Sequence, residues 1–131
     1  KLGEKIAEDY LRKKRYRILD KNFLFRIPGH PQKGEIDIVA RPRRNVFDIL
    51  QGKKEDVIHF IEVKTLSSDR IIFPEEKVNY FKQKKLIKTA QFWLQKNKIP
   101  LNSKWQIDII SIIIDFGTKK AKIKFYKNIV S

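Results

Sequence analysis

The segment GEIDIVA, at residues 34–40, constrains the fold most, because it places carboxylates inside an apolar stretch. Its aliphatic, partly β-branched residues predict a strand. Alternate side chains of a strand share a face, so Asp37 is expected on the face of Glu35 and Val39, opposite the two isoleucines. An acid flanked by apolar residues normally has a partner or a function. We therefore expect another charged group beside Asp37.

The segment VIHFIEVKTL, at residues 57–66, is the clearest strand in the sequence. It is rich in β-branched and aromatic residues, and it is too apolar for the edge of a sheet. If this strand neighbours residues 34–40, then Asp37, Glu62 and Lys64 meet on one surface of the sheet. The alternative is a solvated face, on which these acids only pair with some of the many lysines.

Two carboxylates a few ångströms apart repel each other unless a cation lies between them. Mg²⁺ suits such a place because it takes oxygen ligands, keeps several waters and needs only one or two carboxylates. The sequence thus predicts a Mg²⁺ (or Mn²⁺) site at Asp37 and Glu62, to which the backbone carbonyl of Val63 adds a ligand. Lys64 is expected to orient or deprotonate the attacking water, or to stabilise charge in the transition state.

Periodicity along the remaining chain predicts an α/β fold, with a central mixed β-sheet flanked by α-helices, in one domain at residues 1–131. The expected order is one helix, three strands, a second helix and two strands. The bounds are a helix at 1–15, strands at 16–25 (bent around Asp20–Asn22), 35–40 and 57–66, a helix after Pro74 at 75–98, and strands at 105–115 and 122–130 joined by a turn at Gly117–Thr118. Between the second and third strands, residues 41–56 are expected to form a long polar connection.

Each helix carries an apolar stripe at helical spacing, which is the face expected to pack on the sheet. The first stripe is Leu2, Ile6, Ala7, Tyr10 and Leu11, and the second is Val78, Phe81, Leu86, Ala90 and either Trp93 or Leu94.

The net charge of +15, from 30 Lys and Arg against 15 Asp and Glu, indicates an anionic partner, because self-repulsion of this size opposes folding. Nucleic acid is the first candidate and an acidic membrane surface the second, while a lysine-rich proteome is the alternative explanation. No apolar run is long enough to span a membrane. The absence of Cys excludes disulfides and Cys-based zinc sites, and it fits a cytoplasmic protein.

Basic residues cluster where acids are sparse, which favours a phosphate-binding surface over an ordinary solvated face. The clusters are LRKKRYR at 11–17, RPRRN at 41–45 and the lysines between residues 77 and 104. The expected partner is DNA, and the side chains expected to bind it are Lys82, Lys84, Lys85, Lys88, Arg41, Arg43 and Arg44. Of these, Lys82 is expected nearest to the acids.

The succession of Asp37, Glu62 and Lys64 matches the D…E-x-K pattern of the PD-(D/E)xK nuclease superfamily. Further segments occur in a matching order, namely GE..A..YL at 3–11, YRIL..N at 16–22, GEIDIVA at 34–40, IEVKT at 61–65, K..KL...A..WL at 82–94 and W.IDII at 105–110. Together they resemble the YraN-like family, small bacterial proteins similar to archaeal Holliday junction resolvases. The resemblance covers nearly the whole chain, and it implies a restriction-endonuclease-like fold with a metal-dependent nuclease site.

The resemblance also implies that a Glu on the first helix completes the acidic cluster. That role falls to Glu4, or to Glu8 one turn further on. Glu4, Asp37 and Glu62 would then hold the metal. The alternative role of Glu4 is to complement the positive end of its helix.

The function expected from this resemblance is that of a resolvase-like, metal-dependent DNA endonuclease, which hydrolyses phosphodiester bonds of branched or structured DNA. Resolvases act as symmetric dimers, so a homodimer is also implied. One alternative is a non-catalytic nucleic-acid-binding protein with a relict nuclease site. Another is a small RNA-binding or ribosome-associated protein.

Four other polar residues are expected outside the metal site. Glu35 is interpreted as a supporting or salt-bridge residue, Asp108 as an anchor of its strand, and His59 as structural. His30 lies in a loop, where it either contacts substrate or has no role.

Overall fold

Three helices and five strands form in the computed structural model, which describes residues 2–26, 28–29, 33–52, 56–67 and 80–129. In chain order they are α1 (Leu2–Lys13), β1 (Tyr16–Arg26), β2 (Lys33–Pro42), α2 (Val46–Leu50), β3 (Ile58–Ser67), α3 (Tyr80–Lys96), β4 (Trp105–Asp115) and β5 (Lys120–Tyr126). The predicted order of elements is confirmed, and the short α2 is added to it.

The strands lie in one mixed sheet in the order β1-β2-β3-β4-β5. Neighbouring strands run antiparallel, except that β3 and β4 are parallel. A parallel pair needs a crossover connection, and α3 lies in it. β3 has a neighbour on each side, so the prediction that VIHFIEVKTL is too apolar for an edge strand is confirmed.

The helices α1 and α3 pack against the sheet through two separate apolar clusters. Leu94 of α3 and Phe60 of β3 belong to one cluster. Leu11 of α1 and Ile61 of β3 belong to the other. The adjacent residues Phe60 and Ile61 thus point to opposite faces of the sheet, as the pleat of a strand requires.

Two residues expected in the helix stripes are exposed instead, namely Leu2 (63%) and Phe81 (79%). Leu2 begins α1 and belongs to neither cluster. Phe81 precedes the buried Leu86 by five residues, which turns it about 140° away around the helix. Trp93 and Leu94 are both buried, where only one of them was expected. In the part of the chain that the structure describes, no helix is long and apolar enough to cross a membrane.

The connection after β2 contains α2, which the polar composition of residues 41–56 did not predict. A capping box starts this helix: the side chain of Asn45 accepts the Asp48 N–H at 2.7 Å, and the Asp48 carboxylate accepts the Asn45 N–H at 3.3 Å. Its four apolar side chains are all more than half exposed. Local capping, rather than burial, therefore accounts for this helix.

Two strands depart from regular pairing. The predicted bend in β1 is confirmed, because its register with β2 shifts between Ile18 and Asp20, and Asn22 has a φ of 52°. In β2 the expected alternation is wrong at one position, since Ile36 packs in the same cluster as Val39. The irregularity lies around Asp37, where β2 leaves its ladder with β3. The predictions for Pro74, Val78 and His30 fall outside the described residues.

Candidate active site

The strands β2 and β3 separate at Asp37. The last described pair of their ladder joins Ile38 to Ile61, and in the same register the next two residues are Asp37 and Glu62. At this point Oδ2 of Asp37 accepts the backbone N–H of Val63 at 2.7 Å. The carboxylate thus supplies the acceptor that this N–H needs where the strand ladder ends. The two strands are neighbours, which was the condition for the expected convergence of Asp37, Glu62 and Lys64.

The carboxylate of Glu62 contacts two lysines through one oxygen. Its Oε1 lies 2.6 Å from Nζ of Lys82 and 3.8 Å from Nζ of Lys64. Its other oxygen, Oε2, is buried and has no hydrogen-bond partner among the residues that the structure describes. Leaving a buried carboxylate oxygen without a donor is costly, so a cation at this atom would be stabilising.

Asp37 lies in an environment that opposes its ionisation. Burial raises the pKa of Asp37 from its usual 3.8 to about 6, although the hydrogen bond from Val63 acts in the other direction. The negative charges of Glu35, Glu4 and Glu62 add to the increase. A bound cation would favour the ionised carboxylate and reverse this shift.

The two lysines beside Glu62 respond to the site in opposite ways. Burial lowers the pKa of Lys64, as do its hydrogen bond to Lys82 and the charge of that residue. Burial also acts to lower the pKa of Lys82, but the hydrogen bonds to Glu62 and Lys64 outweigh it, so that pKa is raised. Lys64 is therefore the better proton acceptor, whereas Lys82 keeps its charge as the counter-ion of Glu62.

Glu4, at the start of α1, is the third acid whose charge acts on Asp37. Gly3 lies so close to β3 that a Cβ on it would clash with Oγ1 of Thr65. Glu4 follows directly and contributes to the raised pKa of Asp37. Glu8, the other candidate, forms ion pairs with Arg12 at 2.7 Å and with Lys21. Glu4 is therefore the acid of α1 that acts on Asp37.

An open cleft of about 450 Å³ runs between the sheet and α3. Its charged and aromatic lining consists of Lys33, Glu35, Glu62, Phe81, Lys82 and Lys85. Among the lysines predicted on α3, Lys82 and Lys85 line this cleft, whereas Lys84 and Lys88 are exposed and do not. Lysine side chains and Glu62 therefore line the same cleft.

The three predicted arginines are not part of this cleft. Arg41, Arg43 and Arg44 lie at and beyond the end of β2, whereas Glu35 lies near its start. Arg41 is paired with Asp56 at 3.5 Å. The Arg43 N–H donates to the carbonyl oxygen of Arg15 at 2.7 Å, so two basic segments meet at this end of the sheet. Any role of these arginines is therefore separate from the acids.

The arrangement of the acids meets only some of the requirements of a metal-ion site. Within the described ranges, no three carboxylate or imidazole side chains are grouped closely enough to hold a metal ion. The partnerless Oε2 of Glu62 and the raised pKa of Asp37 both fit a site that takes up positive charge. Together these observations fit an ion that takes few protein ligands and keeps waters.

Lys82 was predicted to bind phosphate and to lie nearest to the acids, but its direct contact with Glu62 was not predicted. A signal was present, because Lys82 precedes Leu86 by one helical turn and so lies on the side of α3 that faces the sheet. The close approach of Gly3 to the side chain of Thr65 was likewise not predicted. No local pattern marks that contact, since it joins a helix start to the middle of the chain.

The fold and the site define an α/β protein in which a mixed sheet carries an acid–lysine cleft. A model of the uncharacterised protein family UPF0102 matches residues 3–112. A UPF0102 protein of Clostridium acetobutylicum is 34% identical over 126 residues, which cover 96% of this chain and 88% of that protein. A UPF0102 protein of Campylobacter fetus is 38% identical over 128 residues, which cover 97% and 88% of the two chains. This chain therefore belongs to the UPF0102 family, which supports the YraN-like resemblance.

Proposed function

We propose that this protein is a metal-dependent endonuclease with a restriction-endonuclease-like fold, similar to resolvases of the PD-(D/E)xK superfamily. The observation that carries the proposal is the pair of acids where β2 and β3 part. Asp37 is fixed by the Val63 N–H, and Glu62 keeps a buried oxygen that has no donor among the described residues. Lys64 lies beside them, 3.8 Å from Glu62. An acid pair with a lysine of lowered pKa suits phosphodiester hydrolysis.

Asp37 and Glu62 would hold the ion, Mg²⁺ or Mn²⁺, together with Glu4 and the backbone carbonyl of Val63. When bound, such an ion polarises a phosphoryl oxygen and makes a water more acidic. Lys64 has a lowered pKa, so it is suited to accept a proton from the attacking water. Lys82 holds the Glu62 carboxylate in place through its 2.6 Å contact.

The proposed substrate is nucleic acid, in particular branched or structured DNA. Lys33, Lys82 and Lys85 line the cleft and would contact backbone phosphates next to the acids. The net charge of +15 would strengthen binding of any polyanion at low salt. A homodimer, which would present two such clefts to one branched substrate, is part of the proposal.

One observation favours a different function, that of a non-catalytic nucleic-acid-binding protein with a relict site. The ammonium group of Lys82 already lies against Glu62, so part of the negative charge is balanced without a metal. Under this alternative, the cleft binds phosphates through its lysines and the acids serve only the fold.

Cleavage of a labelled four-way junction, beside linear duplex and single strand, tests the proposal in Mg²⁺, Mn²⁺ and EDTA. We expect cutting that requires metal and that Asp37→Asn and Lys64→Ala abolish. Matched controls are Asp9→Asn, an exposed acid of α1, and Lys122→Ala, an exposed lysine of β5. Binding without cutting in any metal, unchanged by Asp37→Asn, would favour the non-catalytic alternative.

A further inference from the structure

A second cleft, of about 770 Å³, lies away from the acids, and none of its lining residues is shared with the first. We call it the aromatic cleft, and we define it by the rings of Tyr10, Tyr16 and Phe125 and the cations of Lys14, Arg15 and Lys127. His59 also lines it, three residues before Glu62 on β3 and on the opposite face of that strand. The cleft thus belongs to the α1 face of the sheet.

The rings of the aromatic cleft hold one another in place. The centroid of Phe125 is 6.3 Å from that of Tyr10 and 5.9 Å from that of Tyr16. Tyr16 also contacts the His59 ring edge-on, at 5.2 Å. Three contacts of this kind fix the rings before any ligand arrives, which lowers the entropic cost of binding a flat group against them.

Two of the cations lie over rings of the cleft. Nζ of Lys14 is 5.7 Å from the centroid of Tyr10, and Nζ of Lys127 is 5.2 Å from that of Phe125. Both lysines and Arg15 are exposed. Among the described residues, no carboxylate forms an ion pair with any of these three cations. They are therefore available to an anion that sits beside the rings.

Arg15 is placed there at a conformational cost. It follows the end of α1 with a φ of 69°, in the left-handed region where helices usually place glycine. Its carbonyl oxygen accepts the Arg43 N–H at 2.7 Å, which links the two basic segments near the cleft.

Asp108 lies next to the cleft, and hydrogen-bond partners contact both of its carboxylate oxygens. They offset part of the repulsion between this acid and an anion in the cleft. Asp108 is fully buried, and its Oδ1 accepts from Nε2 of Gln106 at 2.8 Å and from the Asn128 N–H at 2.7 Å. Its Oδ2 lies 2.5 Å from Nδ1 of His59. This contact holds the His59 ring at the wall of the cleft.

We propose that the aromatic cleft binds a nucleotide, with the base against Phe125 and Tyr10 and the phosphate at Arg15 and the two lysines. Rings alone would suit any flat apolar group, and cations alone would suit any phosphate. Their combination in one cleft suits a base joined to a phosphate. The nucleotide is either free or part of a single strand, since both present this chemistry. The inference does not rest on the proposed nuclease activity, because the two clefts share no lining residue.

The test is a titration of the full chain, followed by amide NMR shifts, with deoxyadenosine monophosphate, deoxyadenosine, inorganic phosphate and short single-stranded oligodeoxyadenylate. EDTA is present throughout, so that no metal-dependent reaction contributes. We expect the monophosphate to give saturable shifts at residues 10–16, 57–59 and 125–128. Deoxyadenosine and phosphate should each bind at least about tenfold more weakly than the monophosphate, since each lacks half of the contacts.

Two variants separate a side-chain role from a structural one. Phe125→Leu removes the stacking ring and keeps an apolar side chain, so it should weaken binding about tenfold. Arg15→Gly removes the cation at a position whose φ suits glycine, so it should weaken binding by a similar factor without lowering the melting temperature. Its matched control is Lys98→Gly, an exposed cation that follows the end of α3 with a φ of 57°. This control should bind like the parent protein.

The outcomes distinguish the source of the nucleotide. If the oligonucleotide binds at least about tenfold more tightly than the monophosphate, the site receives a strand, and if the two bind equally, it receives a free nucleotide. The proposal is overturned if no probe gives saturable shifts in the cleft, if phosphate alone binds as well as the monophosphate, or if Arg15→Gly and Lys98→Gly weaken binding equally. None of these results depends on cleavage, so failure of the nuclease proposal leaves them interpretable.

Discussion

The carboxylate of Asp37 accepts the backbone N–H of Val63 at 2.7 Å, and it thereby joins β2 to β3 just beyond their last ladder pair. A side chain thus takes the place of a backbone acceptor at the centre of the sheet. Burial of this acid raises its pKa to about 6, and the negative charges of Glu35, Glu4 and Glu62 add to the increase.

The first prediction concerns stability and pH in EDTA. The folded-state pKa of Asp37 is about 6, against a usual 3.8, so between about pH 4 and pH 6 the folded state binds more protons than the unfolded one. This residue therefore lowers the free energy of unfolding as pH rises through that window. Asp37→Asn removes the effect and keeps an acceptor for Val63. Its melting temperature should exceed that of the parent protein at pH 7, by a margin that shrinks towards pH 4. A margin that does not change between pH 4 and pH 7 would contradict the assignment, and Asp9→Asn is the control for removing an exposed negative charge.

The second prediction concerns metal binding without catalysis. Mg²⁺ or Mn²⁺ should raise the melting temperature of the parent protein, because an ion that binds only the folded state stabilises it. At about a hundred times the dissociation constant, the gain is ~2.7 kcal/mol. Asp37→Asn should lose this rise, while Asp9→Asn should keep it. Thermal unfolding scans with each ion and with EDTA measure the effect, and a parent protein that responds to neither ion would argue against a metal site.

The third prediction concerns the counter-ion of Glu62. Lys82→Met removes the 2.6 Å contact and leaves a mostly buried carboxylate with the more distant Lys64. We expect a loss of about 1–3 kcal/mol in the free energy of unfolding, measured by urea denaturation. Lys88→Ala, an exposed lysine on the same helix, should change it by no more than about 0.5 kcal/mol. In Glu62→Gln the Lys82→Met change should cost less, and equal costs in both backgrounds would mean that the pair is not coupled.

The fourth prediction concerns the contact between Gly3 at the start of α1 and Thr65 on β3. Gly3→Ala adds a Cβ that meets Oγ1 of Thr65, so we expect a loss of about 1–3 kcal/mol in the free energy of unfolding. Thr65→Ala removes the clashing atom, and in that background Gly3→Ala should cost much less. Chemical denaturation of the four proteins in this cycle measures the coupling. An equal cost of Gly3→Ala with Thr or Ala at position 65 would show that α1 does not rest on this side chain.

Much of the fold follows from the sequence because it depends on local periodicity. The strand VIHFIEVKTL and the apolar stripe through Leu86 and Ala90 each carry their pattern within a few residues. The capping box of α2 is also local, but its exposed apolar residues lie in a polar connection without helical periodicity. The sequence predicted the meeting of Asp37 and Glu62 because alternation places both on one face once their strands are neighbours.

Other features depend on which distant residues the tertiary structure brings together. The sequence by itself determined the types and order of the elements other than α2, the placement of β3 away from the edge of the sheet, and the face that Glu62 shares with Lys64. Only the tertiary structure decided that Lys82 contacts Glu62, that Glu4 rather than Glu8 acts on Asp37, and that Arg43 joins Arg15 away from the acids. The physical reason is that periodicity fixes the direction of a side chain on its own element, whereas its partner depends on how separate elements pack.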